Sequence, residues 1–267
     1  MSTLQAALPV ASHRPLSMLF RIFMMETKTE FLALFRTKSF SLAVVGFPVM
    51  FYVLFGVANK GSSTHGVEIA KYMLAGYCCF AMVSAALFGI GVGLASERSA
   101  GWLELKRSSP MPPIAYLLAK CVTAQAFGSL IIAVLICVAL AFGGVHLSAK
   151  EIVALLLTPL FGTVPFAAMG LLLALVVPAN AAGGVVNLIN LPLSFMSGMF
   201  IPIFMLPKWV QGIAPYLPTY HLSQLVLSVF GYMDHGTRLQ HAAALAGYTL
   251  VMLGIGWAVF QRAEQNA

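Results

Sequence analysis

The feature that most constrains this chain is how long it runs without charge. Residues 40–58 (FSLAVVGFPVMFYVLFGVA) carry no charged side chain, and residues 69–95 carry only Lys71, close to their start. Four more runs, 113–142, 152–177, 181–204 and 242–260, are nearly as apolar. About 20 apolar residues in helical form cross the hydrocarbon of a bilayer. Backbone groups in lipid must be satisfied within the segment, so each such run has to be a helix. Only 9% of the 267 residues are charged, against roughly 25% in soluble domains. The expected fold class is an all-α integral membrane protein with six spans.

The remaining segments have different patterns. Residues 1–15 read as a loose cytoplasmic arm. In 16–37, Leu16, Leu19, Phe20, Phe23, Met24, Phe31, Leu34 and Phe35 recur at helical spacing, with Arg21, Glu26, Lys28, Glu30 and Arg36 on the other side. That pattern predicts an amphipathic helix in the interface plane, acting as a surface anchor or as a face for a partner. Residues 38–267 then form a single six-span domain. Pro48 is expected to kink the first span, and Pro159 and Pro165 to interrupt the fourth. Residues 198–238, punctuated by Pro202, Pro207, Pro215 and Pro218, are read as external re-entrant half-helices too short to span. Trp209, Tyr216 and Tyr220 suit an aromatic belt at headgroup level.

Charge gives the orientation. Six crossings put both termini on one side. With the N-terminus inside, ten of the fifteen Lys and Arg side chains are cytoplasmic; the five outside are Lys60, Lys71, Lys150, Lys208 and Arg238. The basic excess of +7 is therefore a positive-inside bias, not a nucleic-acid patch. The loop 97–112 stands out within that bias. Glu97, Arg98, Glu104, Lys106 and Arg107 crowd into it between two apolar spans.

Several chemistries are missing. The sequence has no GxxxxGK[ST] loop, HExxH or GxSxG, and the run Gly89–Gly93 falls within a span, where glycine serves close helix packing. Cys78, Cys79, Cys121 and Cys137 lie in apolar runs without metal-ligand spacing and read as small buried residues. The histidines His13, His65, His146, His221, His235 and His241 are scattered, and no pair shows metal spacing. No carboxylate lies deep in a span, as an ion relay needs. No cleavable signal peptide is expected, since a long amphipathic arm precedes the first apolar run. The chain is expected not to be an enzyme and to hold no cofactor of its own.

Two passages carry a family resemblance. The first is Glu97-Arg98-x-x-Gly101-x-Leu103-Glu104, followed by Ser109-Pro110 before the third span. The second is Met196-Ser197-Gly198-Met199-Phe200-Ile201-Pro202, continuing through Leu206-Pro207-Lys208-Trp209 to Pro215 and Leu217-Pro218. With the order of helices around them, they make the chain resemble the membrane permease subunit of a bacterial type-2 ABC exporter. Lys106-Arg107 departs from the pattern, since apolar residues are common there in that family.

The resemblance implies a bacterial inner-membrane permease that pairs with a second permease, with a homodimer expected, and docks on two copies of a separate ATPase that binds ATP and magnesium. Glu97, Arg98, Gly101, Trp102, Leu103, Glu104, Lys106 and Arg107 would form the coupling element. Arg21, Glu26, Lys28 and Arg36 would lie on the interface helix against the same partner. Asn187, Asn190, Phe200, Pro202, Trp209, Tyr216 and Tyr220 are candidates for the pathway or an external gate; for the two asparagines, hydrogen bonding between helices is the competing role. The expected cargo is a drug, lipid or other amphipathic molecule. Alternatives are a polysaccharide or glycolipid exporter, an ATP-independent channel or carrier, or an intramembrane enzyme.

Overall fold

The computed structural model describes residues 16–102 and 113–265. Helix α1, Leu16–Arg36, ends where the Thr37 amide bonds back to the Ala33 and Leu34 carbonyls. Helix α2, Lys38–Phe51, runs through Pro48 and continues as a π-helix, Tyr52–Val57. The widened turn falls one turn beyond the proline, which removes a hydrogen bond from the ladder. A small hairpin follows, with β1 (Ser63–Thr64) antiparallel to β2 (Val67–Glu68). Its two turn residues, His65 and Gly66, both have positive φ, as the tight hairpin turn requires.

The next element is the centre of the molecule. Helix α3 (Ile69–Ala86), a π-helical stretch (Leu87–Val92) and α4 (Gly93–Ser99) form one continuous 31-residue rod. Every residue of α3 except Lys71 is buried, and Lys71 pairs with Glu68 at 3.3 Å. The sequence of α3 explains why: Ala70, Ala75, Gly76, Cys78, Cys79, Ala81, Ser84, Ala85 and Ala86 are small, so neighbours approach closely on several sides. Without a hydrophobic drive between helices in lipid, that closeness is the main source of packing energy. At Gly76 a Cβ would come within 1.7 Å of the Met199 carbonyl oxygen, so no other residue fits there without moving the turn at 198–200.

Around α3 stand α2, α5 (Pro113–Ala141), α6 (Ala149–Gly162) and α10 (Pro218–Leu227). Helix α7 (Val164–Val176) continues α6 after a 40° bend at Thr163, with Pro165 opening the second half. Helix α8 (Ala179–Met196) starts directly after Pro178 and ends eight residues short of the expected limit at 204. There the backbone turns through Gly198, at φ +74, into a chain of short pieces: a 3-10 turn at Ile203–Met205, α9 (Lys208–Ile213) and another at Ala214–Tyr216. Helix α11 runs Arg238–Gln265, starting before the expected 242. It leans on α7 and α10 and is otherwise largely uncovered.

By length and composition Ile69–Ser99, Ala115–Ala141 and Arg238–Val259 can each cross a membrane, and the bent pair α6–α7 can make a fourth crossing. Val44–Val57 is apolar but shorter. The described residues are thus overwhelmingly helical, with the two-residue strands of the hairpin as the exception.

Candidate functional site

The charged stretch at the end of the α3–α4 rod meets three other helices. Lys120, on α5 two turns from its start, is 4% exposed. Its ammonium lies 2.9 Å from Glu30 Oε2 of α1 and 2.8 Å from Glu97 Oε1 of α4. Tyr116, one turn earlier on α5, donates its hydroxyl to Glu97 Oε2, and its ring sits 5.2 Å from the Lys120 ammonium. Glu26 lies near enough to add its field at Tyr116. Next to Glu97, the Arg98 guanidinium donates to the Leu175 and Val177 carbonyls at the end of α7, the second at 3.1 Å. Beneath the charges Leu94, Tyr116 and Ala174 pack together.

The physical logic is compensation. A buried ammonium costs several kcal/mol unless it is paired and hydrogen-bonded, and here two carboxylates and a ring face provide that. Arg98 occupies carbonyls that the end of a helix leaves without amide partners. The result joins α1, α4, α5 and α7 at one end of the molecule. It also ties the end of α4 to the start of α5, the two elements on either side of residues 100–112.

The arrangement on α1 corrects the expected division of its faces. The inward stripe is Ile22, Phe23, Glu26, Thr27, Glu30, Phe31 and Leu34, all at least partly covered. Phe31 meets Phe127 edge-on at 6.0 Å, and Thr123 donates to the Thr27 carbonyl at 3.2 Å. Both acids of the helix therefore face inward, while Arg21, Lys28 and Arg36 face outward beside exposed Met18, Phe20, Met24, Met25 and Phe35. Periodicity alone grouped acids and bases on one polar side. The lone lysine inside the apolar run of α5 was the signal that a carboxylate elsewhere had to turn inward.

Of the other coupling candidates, Gly101 ends α4 in the left-handed region at φ +75, its amide bonded to the Arg98 carbonyl at 3.2 Å, and Trp102 is exposed. Leu103, Glu104, Lys106 and Arg107 lie outside the described residues.

The pathway and gate candidates separate. Asn190 is 1% exposed and donates to Ser84 Oγ at 2.9 Å, with Ser194 adding a bond to Asn190 at 3.4 Å; Asn187 is exposed. Phe200 is buried as the hub of an aromatic cluster, with ring centres 6.2 Å from Phe51, 5.4 Å from Tyr77, 5.0 Å from Phe80 and 4.6 Å from Phe195. Pro202 is buried. Trp209 and Tyr216 are exposed, as a belt requires, but Tyr220 is not. It packs with Ile203 and Ala214 in a small core of its own.

The histidines also differ from expectation. His221 of α10 and His241 of α11 meet at 2.9 Å, Nδ1 to Nδ1. His241 Nε2 donates to the His235 carbonyl at 2.8 Å, so its Nδ1 is free to accept from His221. Twenty residues of sequence separation hid this pair. The same region is tied by Gln224, which exchanges two hydrogen bonds with Asp234, and by Arg238, which donates to the Ser228 carbonyl at 2.7 Å. Burial first, and His241 second, hold the His221 imidazole below its ordinary 6.5, against a smaller opposing pull from the Pro215 carbonyl. No cluster of three or more potential metal ligands occurs among the described residues.

Comparison with known proteins matches residues 22–230 to the family described as ABC-2 type transporter. The chain is also 29% identical, over 187 residues, to "Putative transport permease YvfS" of Bacillus subtilis (strain 168). That alignment covers 70% of this chain and 76% of the relative.

Proposed function

Because the chain belongs to the ABC-2 type transporter family and is a multi-pass membrane transport permease, we propose that it is the membrane half of an ATP-driven exporter in a bacterial inner membrane. Two permease chains enclose the substrate path, and each docks on a separate ATPase that binds ATP and magnesium. Six crossings are formed by α2 with its π-helical extension, the α3–α4 rod, α5, the bent α6–α7 pair, α8 and α11. Both termini and the loop 97–112 face the cytoplasm. The cargo is amphipathic, a drug or lipid.

The observation that carries this reading is the ionic clasp. Glu97, Tyr116 and Lys120 clamp together the two helices that flank the loop 97–112, so a push on it is passed to the helices they join. Displacing it pulls on α1 through Glu30 and on α7 through Arg98. With no nucleotide loop in the sequence, energy enters through residues 97–112 from outside the chain. Glu97 and Arg98 act inside the permease as transmitters. Contact with the ATPase falls to exposed Trp102 and, by the family resemblance, to Leu103, Glu104, Lys106 and Arg107.

The test is a purified complex with a partner ABC ATPase, reconstituted in liposomes. Trp102→Ala is expected to lower permease-stimulated ATP hydrolysis and transport together, at unchanged membrane insertion. Full stimulation and transport in that variant and in Glu104→Gln sinks the coupling assignment. Transport by the permease without any ATPase sinks the exporter reading itself.

A further inference from the structure

We propose that the end of the molecule remote from the clasp carries a binding groove for the phosphate headgroup of a single membrane phospholipid. A cavity of about 280 Å³ opens between α6, α10 and α11, lined by Lys150, Glu151, Ala154, Leu225, Val229 and Arg238 among others. It reaches down α6 to Thr158, roughly 13 Å below the first residue of that helix at 1.5 Å per residue. Beside charged Lys150, Glu151 and Arg238 the lining is apolar at Ala154, Leu225 and Val229 and neutral at Thr158 and Ser228, a surface that suits a headgroup with the first part of its acyl chain. At this size the space is below the usual range for drug-sized ligands.

The two cations are placed against local electrostatics. Helix α6 starts with a reciprocal cap: Glu151 N–H bonds to Ser148 Oγ at 3.3 Å, and Ser148 N–H to Glu151 Oε2 at 2.7 Å. Helix α11 starts the same way, with Gln240 N–H to Thr237 Oγ1 at 3.2 Å and Thr237 N–H to Gln240 Oε1 at 2.8 Å. Each cap encloses a basic residue in the first helical turn, Lys150 in one and Arg238 in the other. A helix N-terminus carries positive partial charge and favours anions.

Here two basic side chains and two helix starts gather at one cavity, and neither Lys150 nor Arg238 has a carboxylate ion-pair partner among the described residues. Glu151 returns one negative charge, but its Oε2 already accepts from both the Ser148 amide and the Ser148 hydroxyl. Arg238 spends one donor on the Ser228 carbonyl and keeps four of its five N–H groups. A phosphodiester satisfies both cations through charge-assisted bonds. Lys150 and Arg238 are also two of the five basic residues that the charge bias leaves on the outer side, so the groove gives that minority a reason to be there. This site is independent of ATPase coupling.

The full-length chain, delipidated in detergent without ATPase, is titrated with phosphatidylglycerol, a phosphate-free diglycosyl diacylglycerol, or sodium phosphate. Bound lipid is read by native mass spectrometry and stability by thermal scanning. Phosphatidylglycerol is expected to be retained and to raise Tm. Lys150→Gln with Arg238→Gln should cut its retention on the order of tenfold or more, Arg238→Lys should restore part of it, and Lys208→Gln should change nothing. Ala154→Phe, which fills the groove and leaves both charges and both caps intact, should cause the same loss. Equal retention of the glycolipid, equal stabilisation by sodium phosphate alone, or undiminished phosphatidylglycerol retention in either groove variant overturns the proposal.

Discussion

The two ends of the molecule are held together by different forces. At the end bearing the loop 97–112, a buried lysine, two carboxylates and an arginine on helix-end carbonyls join four helices. At the opposite end the work falls mainly to aromatic rings around Phe200, a histidine pair and hydrogen bonds of Gln224 with Asp234 and of Arg238 with the Ser228 carbonyl, beside a partly exposed Lys71–Glu68 pair. Ionic contacts in a buried setting have few alternatives: breaking one strands a charge. Ring contacts, and polar bonds that water can reach, can be exchanged for similar ones at small cost. An end built the first way transmits displacement, while one built the second way can rearrange. That contrast fits a machine driven at one end that opens at the other.

The largest effect is expected where one side chain serves several partners. Lys120→Met removes the ammonium that Glu30 and Glu97 share. Losing one partner of a buried pair costs about 3–5 kcal/mol, and a lysine that serves two acids puts this variant at the upper end. Thermal scanning in detergent should show a large fall in Tm, and crosslinking should show α1 released from α5. The double variant Lys120→Met with Glu30→Gln should recover part of the loss. If Lys120→Met alone leaves Tm and crosslinking unchanged, the clasp does not hold that end together.

Phe200→Ala tests the other end. Removing a buried phenylalanine costs about 3–5 kcal/mol. The lower end applies here, because the short pieces after Met196 can settle into the gap. The expected pattern is a smaller Tm change than for Lys120→Met, with faster hydrogen exchange confined to residues 198–217. Loosening that spreads to α1 and α4 would mean the two ends are not mechanically separate.

Gly101→Ala is smaller again. The left-handed backbone there costs a residue with a Cβ roughly 1–2 kcal/mol. No described residue comes within 4 Å of a Cβ placed there, so the expected effect is conformational. Proteolysis within 97–112 should quicken while overall Tm moves little. A Tm fall as large as that of Phe200→Ala would show that Gly101 does more than end α4.

These ends were not equally readable from sequence. The membrane class follows from uncharged runs that no soluble fold can carry. The bend at Thr163 follows from Pro159 and Pro165, and the broken helices after Met196 follow from Pro202 through Pro218. Glu97 and Arg98 stood out because charge was rare around them. Their partners did not, because Glu30, Leu175 and Val177 are dozens of residues away and only packing brings them close. The same applies to His221 with His241, and to Tyr220, whose ring looked like a belt residue until α10 turned it inward. In a chain this apolar, nearly every side chain passes a test for burial in lipid or protein, so composition cannot say which helix face meets which neighbour.

The smallest expected effect concerns acidity at the histidine end. His221 is held below its ordinary 6.5 by burial and by His241, so the folded state favours the neutral ring. A depressed folded value means the unfolded chain binds protons more readily. The stability contribution is therefore fully present above pH 6.5 and is lost as pH falls through the folded value. Hydrogen exchange in residues 218–248 should quicken as pH is lowered below 6.5, after correction for intrinsic exchange. Exchange at α1 and α4 should not follow, because the clasp carries no histidine. His221→Gln should flatten the dependence. A wild-type profile without pH dependence in that window, or one matched step for step at α1, would remove the histidine pair from the list of what distinguishes the two ends.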